Sequence, residues 1–147
     1  MRLDIYQAET ARIAQEKSAL LDEARTRLLA DGTLSPLEQD GVLHAFQVLI
    51  ENAIGKAKQL IKARNEQVPV GAYDAFTVLA RLGVIQDCDM SSWTAIIGLR
   101  NRIVHDYMNI DMMLVLNLVK QDTYRFIVDF LMTVPPITQQ VESKDVE

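Results

Sequence analysis

The 147-residue chain holds one cysteine, two histidines and one tryptophan, and no hydrophobic run long enough to cross a bilayer. Cys88 alone cannot close an internal disulfide, which suits a reducing compartment, and it leaves no basis for a cysteine metal cluster. The longest apolar run near the C-terminus, "MMLVL", falls far short of the roughly 20 residues a membrane helix needs. The N-terminal "MRLDIYQAET" lacks the apolar stretch of a signal peptide. The expected location is therefore cytoplasmic, with no membrane partner. Positive charge is also scarce: 15 Lys and Arg face 20 Asp and Glu, for a net charge of −5. That balance excludes broad, sequence-independent wrapping of nucleic acid, which relies on many cations, but it leaves room for a small basic site. Aromatic residues make up only 6% of the chain.

Aliphatic residues supply what the aromatics do not. Hydrophobic residues reach 49% and charged residues 24%, a mixture that suits packed helices and argues against disorder. From residue 3 to about 30, Ile5, Ala8, Ala11, Ala14, Leu20, Leu21, Ala24 and Leu28 recur mostly three or four apart, as on an amphipathic helix. "ADGTLSP" breaks the pattern. Ser35, Pro36 and Glu38 then read as N-cap, N1 proline and capping box, so a second long helix starts at Pro36. Its apolar positions repeat over about seven turns, until "NEQVPVG" stops it. Gly41 and Gly55 suggest places where a neighbouring helix comes close. A shorter helix is expected near 73–82 with Gly83 as its stop, a fourth after a cap at Asp89 or Ser91, and a fifth from Met112 to about Met132 after a cap at Asp111. No period-2 strand pattern, internal repeat or low-complexity tract occurs. The expectation is an all-α, up-and-down antiparallel bundle of about five helices over residues 1–133, followed by a polar, flexible tail over 134–147.

One stretch stands apart. "GLRNRIVHDY", residues 98–107, gathers Arg100, Asn101, Arg102, His105, Asp106 and Tyr107 at the end of the fourth helix. At 100° per residue, Arg100 and Tyr107 fall within about 20° of each other, Arg102 and Asp106 form an i, i+4 pair, and His105 lies about 140° from Arg100. Histidine titrates near neutrality and moves protons, while arginine stays charged and presents planar donors to phosphate. Together they suit cleavage of RNA without metal or other cofactor: the ribose 2′-hydroxyl attacks phosphorus, His105 moves a proton and Arg100 holds the added negative charge. For the two to act together, the helix end must be distorted or a second subunit must complete the pair. On spacing alone, a helix C-terminus attracts the same residue types, because cations offset the dipole and the last carbonyls accept hydrogen bonds.

"RNRIVHDY" resembles the arginine, four residues, histidine, one residue, tyrosine motif of the HepT toxins in the HEPN superfamily, with Arg100, His105 and Tyr107 in the matching places. Asn101 fits the polar residue that often follows the HEPN arginine. The resemblance extends over most of the chain, because a HEPN domain is a helical bundle with this motif near the end of its penultimate long helix. It implies a HEPN-type endoribonuclease toxin of a type VII-like toxin–antitoxin module, cutting tRNA or mRNA as a homodimer whose two motifs line one cleft. It further implies an MntA-like nucleotidyltransferase antitoxin that silences the toxin by AMPylation of Tyr107. An AMP group beside Arg100 and His105 would obstruct and repel an incoming RNA phosphate.

Two other functional readings stand beside it. One is a non-catalytic helical partner that presents Tyr107 to a minimal nucleotidyltransferase; the other is a structural helical dimer whose cluster only caps a helix. Arg102 is secondary, able to meet RNA or to pair with Asp106. Lys56, Lys58, Lys62 and Arg64 offset the acidity of the chain only if the fold brings them to the cleft. His44 has no partner histidine for a metal. Glu51 and Asn52 are expected on a solvated helix face, Ser91 and Ser92 lack a triad, and Trp93, Met112 and Met113 are expected in the core or a dimer contact.

Overall fold

A computed structural model describes residues 3–134, with nothing described of the Leu3 side chain. The tail expected over 134–147 thus lies, beyond Val134, outside the described residues. Six α-helices form the described chain: α1 (Leu3–Leu29), α2 (Pro36–Ala63), α3 (Ala72–Arg81), α4 (Met90–His105), α5 (Met112–Lys120) and α6 (Tyr124–Met132). Short 3₁₀ turns at Asp87–Asp89 and Tyr107–Asn109 bracket α4. α1 packs on α2, α5 and α6; α2 also receives α3, α4 and α6, so it is the central helix.

The start of α2 follows from its capping sequence. The Glu38 amide donates to the Ser35 hydroxyl at 3.1 Å, and the Ser35 amide donates to the Glu38 carboxylate at 2.9 Å. Pro36 fills N1, where its missing N–H costs nothing, and Arg27 reaches over from α1 to pair with Glu38. Along α2 the residues Val42, Phe46, Leu49, Ala53, Ala57 and Leu60 are all buried, one continuous apolar stripe.

Four helices stop in one way. Asp31, Asn65, Gly83 and Asp122 each adopt positive φ just past a helix end, and the next residue's amide bonds back five positions, to Arg27, Ile61, Leu79 and Leu118 respectively. This is the Schellman stop, which satisfies carbonyls the helix leaves open. The expected single helix over 112–132 is split by it at Asp122. Neither Gly nor Pro marks that break; aspartate tolerates the left-handed conformation, and the Thr123 hydroxyl adds a 2.7 Å bond to the Leu118 carbonyl. The Gly83 stop matches the sequence expectation.

The core carries its few aromatics together. Phe76 of α3 stacks on Trp93 of α4 at 4.1 Å, and Trp93 meets Phe126 and Phe130 of α6, each at 5.0 Å. Burial of side chains this size stabilises a fold by roughly 1.5–3 kcal/mol each, so this cluster fixes where α4 sits. The two glycines of α2 behave differently. A Cβ at Gly55 would lie 3.0 Å from the Tyr6 hydroxyl, a real close approach, whereas one at Gly41 would meet open space.

Candidate functional site

α4 is regular through His105, which settles where each motif residue points. Trp93, Arg100 and Tyr107 follow one another at heptad spacing, so the stripe that buries Trp93 turns polar at Arg100. Arg100 is accordingly half-buried, its side chain 20% exposed, while Asn101, Arg102 and His105 are exposed. No hydrogen bond or ion pair joins Arg100 to His105 among the described residues. The helix end is thus undistorted between them, and one chain alone keeps the two on different sides of α4.

At Asp106 the chain leaves the helix, with φ −142°, and turns through Tyr107–Asn109. The Asp106 carboxylate accepts from the Asn109 side chain at 2.7 Å. The i, i+4 pair of Asp106 with Arg102 open from the sequence does not form, and Arg102 has no ion pair among the described residues.

The inward residues of the motif meet α2. Arg100 Nε lies 3.4 Å from a carboxylate oxygen of Glu51, an ion pair without hydrogen-bond geometry, and Nε itself is buried with no hydrogen-bond partner. Tyr107 donates its hydroxyl to Asp40 Oδ1 at 2.8 Å, which holds the phenol above its ordinary pKa. Asp40 and Glu51 are three turns apart on one side of α2, while Arg100 sits on α4 and Tyr107 in the turn just past its end. The two helices run antiparallel so that the four residues pair off in order.

Asp40 escaped the sequence argument, and Glu51 was expected to face solvent. A signal existed, since Asp40, His44, Gln47 and Glu51 recur along one polar side of α2. Nothing in the sequence said that α4 lies over that side. Glu51 keeps much of its exposure while pairing with Arg100, and Asn52 bonds back to the Val48 carbonyl at 2.8 Å.

Lys56 and Lys58 of α2 are occupied elsewhere. Lys56 is buried, and its ammonium donates to the carbonyls of Phe130 and Thr133 at 2.7 Å and of Leu131 at 3.3 Å, closing the end of α6. Burial pushes its pKa down to about 8. Lys58 donates to the Val70 carbonyl. These two cations hold the bundle together, and their ties lead away from the motif. His44 is exposed and Trp93 is core, as the sequence allows, whereas Met113 is 79% exposed and Met112 only partly buried. An apolar pocket of about 340 Å³ lies between α4, α5 and α6, lined in part by Ala95, Leu99, Leu118 and Phe126, and it contains none of the motif residues. No described helix is long and apolar enough to cross a membrane.

A bundle of this topology with an arginine, histidine and tyrosine cluster closing its penultimate long helical segment defines a HEPN-type domain. Residues 14–134 match the model of the ribonuclease HepT-like family, and the chain belongs to that family. Two solved structures share the fold, each with a TM-score of 0.61, 24% identity and 81% of this chain covered. One is a crystal structure of a toxin–antitoxin with AMP-PNP, covered over 97% of its chain. The other is a tri-AMPylated Shewanella oneidensis HEPN toxin in complex with MNT antitoxin, covered over 96%. Comparison with curated proteins gave no match.

Proposed function

We propose that the chain is the toxin of a type VII-like toxin–antitoxin module, a metal-independent endoribonuclease that cuts tRNA or mRNA in the cytoplasm. The observation that carries this reading is the polarity of α4's end in a HepT-like chain. Arg100 is held half-buried on one side, and His105 stands exposed on the other.

The chemistry assigns each a task. Arg100 places a fixed positive charge against the scissile phosphate. His105 takes the 2′-hydroxyl proton as the oxygen attacks phosphorus, or returns a proton to the departing 5′-oxygen, and the product end is a 2′,3′-cyclic phosphate. Asn101 and Arg102 flank the path of the RNA backbone as supporting donors.

A homodimer supplies what one helix does not. Two copies joined at this end of α4 bring the Arg100 of one toward the His105 of the other. Val104, Met108, Met113 and Leu114 leave exposed apolar surface around the motif, and Met108 is 91% exposed. Burying such side chains favours a contact there. The proposed domain ends at residue 133. The partner that silences it is an MntA-like nucleotidyltransferase, which transfers AMP to Tyr107. The hydroxyl is reachable, since Tyr107 is 51% exposed.

The test is cleavage of total RNA and of tRNA by the purified chain in EDTA, beside His105→Ala, with the mass of the Tyr107 peptide checked in both. Cleavage by the unmodified wild type, reduced at least about 100-fold in His105→Ala, is expected. Intact RNA with Tyr107 verified as unmodified overturns the reading in favour of a non-catalytic partner of the nucleotidyltransferase.

A further inference from the structure

We infer that Asp40 is the proton acceptor for covalent nucleotidylation of Tyr107; this rests on the function proposed above. The juxtaposition is direct. Tyr107 Oη donates to Asp40 Oδ1 at 2.8 Å, and both side chains are exposed, so an incoming nucleotide reaches the hydroxyl while the carboxylate stays behind it.

The pair is not needed to hold α4 in place. Trp93, Ile97 and Ile103 already bury that helix, and a single exposed hydrogen bond adds little to stability. Among the described residues Asp40 has no other partner, whereas Glu38, two residues earlier, is spent on the helix cap and on Arg27. A carboxylate whose one partner is a reachable phenol is placed for chemistry.

The step balances as follows. Tyr107 Oη attacks the α-phosphorus of a nucleoside triphosphate, and the bond from oxygen to phosphorus forms. The bond from that phosphorus to the oxygen bridging the α- and β-phosphates breaks, and pyrophosphate departs with the electron pair. The phenolic proton passes to Asp40 Oδ1, which later gives it to water. Because the hydrogen bond to Asp40 favours the neutral phenol, the proton leaves only as the new bond makes the oxygen acidic. Afterwards the ester oxygen no longer donates, and the adduct's phosphate repels the Asp40 carboxylate, so the modified side chain has no tie to α2. The other titratable or charged groups along these facing segments are His44 and Glu51 on α2, and Arg100, Arg102, His105 and Asp106 on the α4 side.

The experiment follows AMP incorporation by intact mass, using the whole chain, its nucleotidyltransferase, ATP and Mg²⁺, for wild type, Asp40→Asn and Asp40→Glu. Asparagine keeps an acceptor oxygen at the same place and removes the basicity. The expected result is incorporation about 100-fold slower in Asp40→Asn at pH 7, with partial recovery in Asp40→Glu and unchanged binding of the nucleotidyltransferase. The deficit should shrink as pH is raised into the alkaline range, because a phenol freed of the carboxylate ionises more readily; a merely structural role would leave it constant. Equal rates in wild type and Asp40→Asn overturn the inference and leave the proposed function standing. A wild type that takes up no AMP removes the proposed regulation, and the inference with it. Thermal melts of the variants identify any loss that comes from misfolding, and a misfolded Asp40→Asn leaves the pH dependence of Asp40→Glu against wild type to decide.

Discussion

The tyrosine–aspartate pairs Tyr124–Asp22 and Tyr107–Asp40 teach opposite lessons. Tyr124 of α6 is fully buried and donates to Asp22 of α1, whose carboxylate is also held by Arg125 at 2.7 Å. Arg125 reaches on to Ser18 at 2.9 Å. Burial first, and the bond to Asp22 second, raise the Tyr124 pKa far above its ordinary value. Tyr107 makes the same bond to Asp40 in the open, with no arginine beside the carboxylate. The first pair is embedded in a network that ties α1 to α6. The second ties almost nothing together and leaves its hydroxyl within reach of another molecule. Identical chemistry is structural where it is enclosed and shared, and available where it is exposed and solitary.

The comparison is broken most sharply at the hydroxyls themselves. Tyr107→Phe should abolish AMP incorporation in the presence of the nucleotidyltransferase and ATP, read by intact mass, while shifting stability by no more than about 0.5 kcal/mol in urea denaturation. Modification of Tyr107→Phe at another site would break the assignment of Tyr107 as acceptor.

Next in size is the buried cation that the motif end of α4 lacks. Lys56→Met should cost about 3 kcal/mol, because carbonyls at the end of α6 lose their buried donor. Its pH signature has a definite sign. Folded Lys56 releases its proton near pH 8, while the unfolded residue keeps it to about 10.4. Between those values the unfolded chain binds more protons, so this group's contribution to stability rises with pH across the window and is flat below it. Urea midpoints of wild type against Lys56→Met between pH 7 and 10 read this difference; a contribution that falls over the window would contradict the assigned direction.

Smallest is the enclosed pair. Tyr124→Phe should cost about 1–2 kcal/mol, since Asp22 keeps Arg125 and only one buried hydrogen bond is lost. It should leave AMP incorporation at the wild-type rate. A slower incorporation would mean that the α1–α6 network reaches the motif.

The legibility of the molecule followed the same division. Capping at Ser35, Pro36 and Glu38 acts within four residues, and the apolar stripe of α2 repeats over many turns, so both could be read from the chain; in α1 the expected stripe is buried at Ala14, Leu21, Ala24 and Leu28, while Ile5, Ala8 and Leu20 are exposed. The stop at Asp122 was hidden because aspartate adopts the left-handed conformation without the glycine that usually marks it. Arg100, His105 and Tyr107 were legible as a motif, and Asp40 was not, because a carboxylate on a helix is ordinary until a second helix lies over it.

By itself, then, the sequence determined where α2 begins, which side of it is buried, and that an arginine, a histidine and a tyrosine gather at the end of α4, since all of these depend on short spacings along one chain. Only the tertiary structure decided that Arg100 faces Glu51, that Tyr107 donates its hydroxyl to Asp40, and that Lys56 belongs to the end of α6. Those pairings join residues from 49 to 77 positions apart, and the antiparallel packing of whole helices around the aromatic core is what selects them.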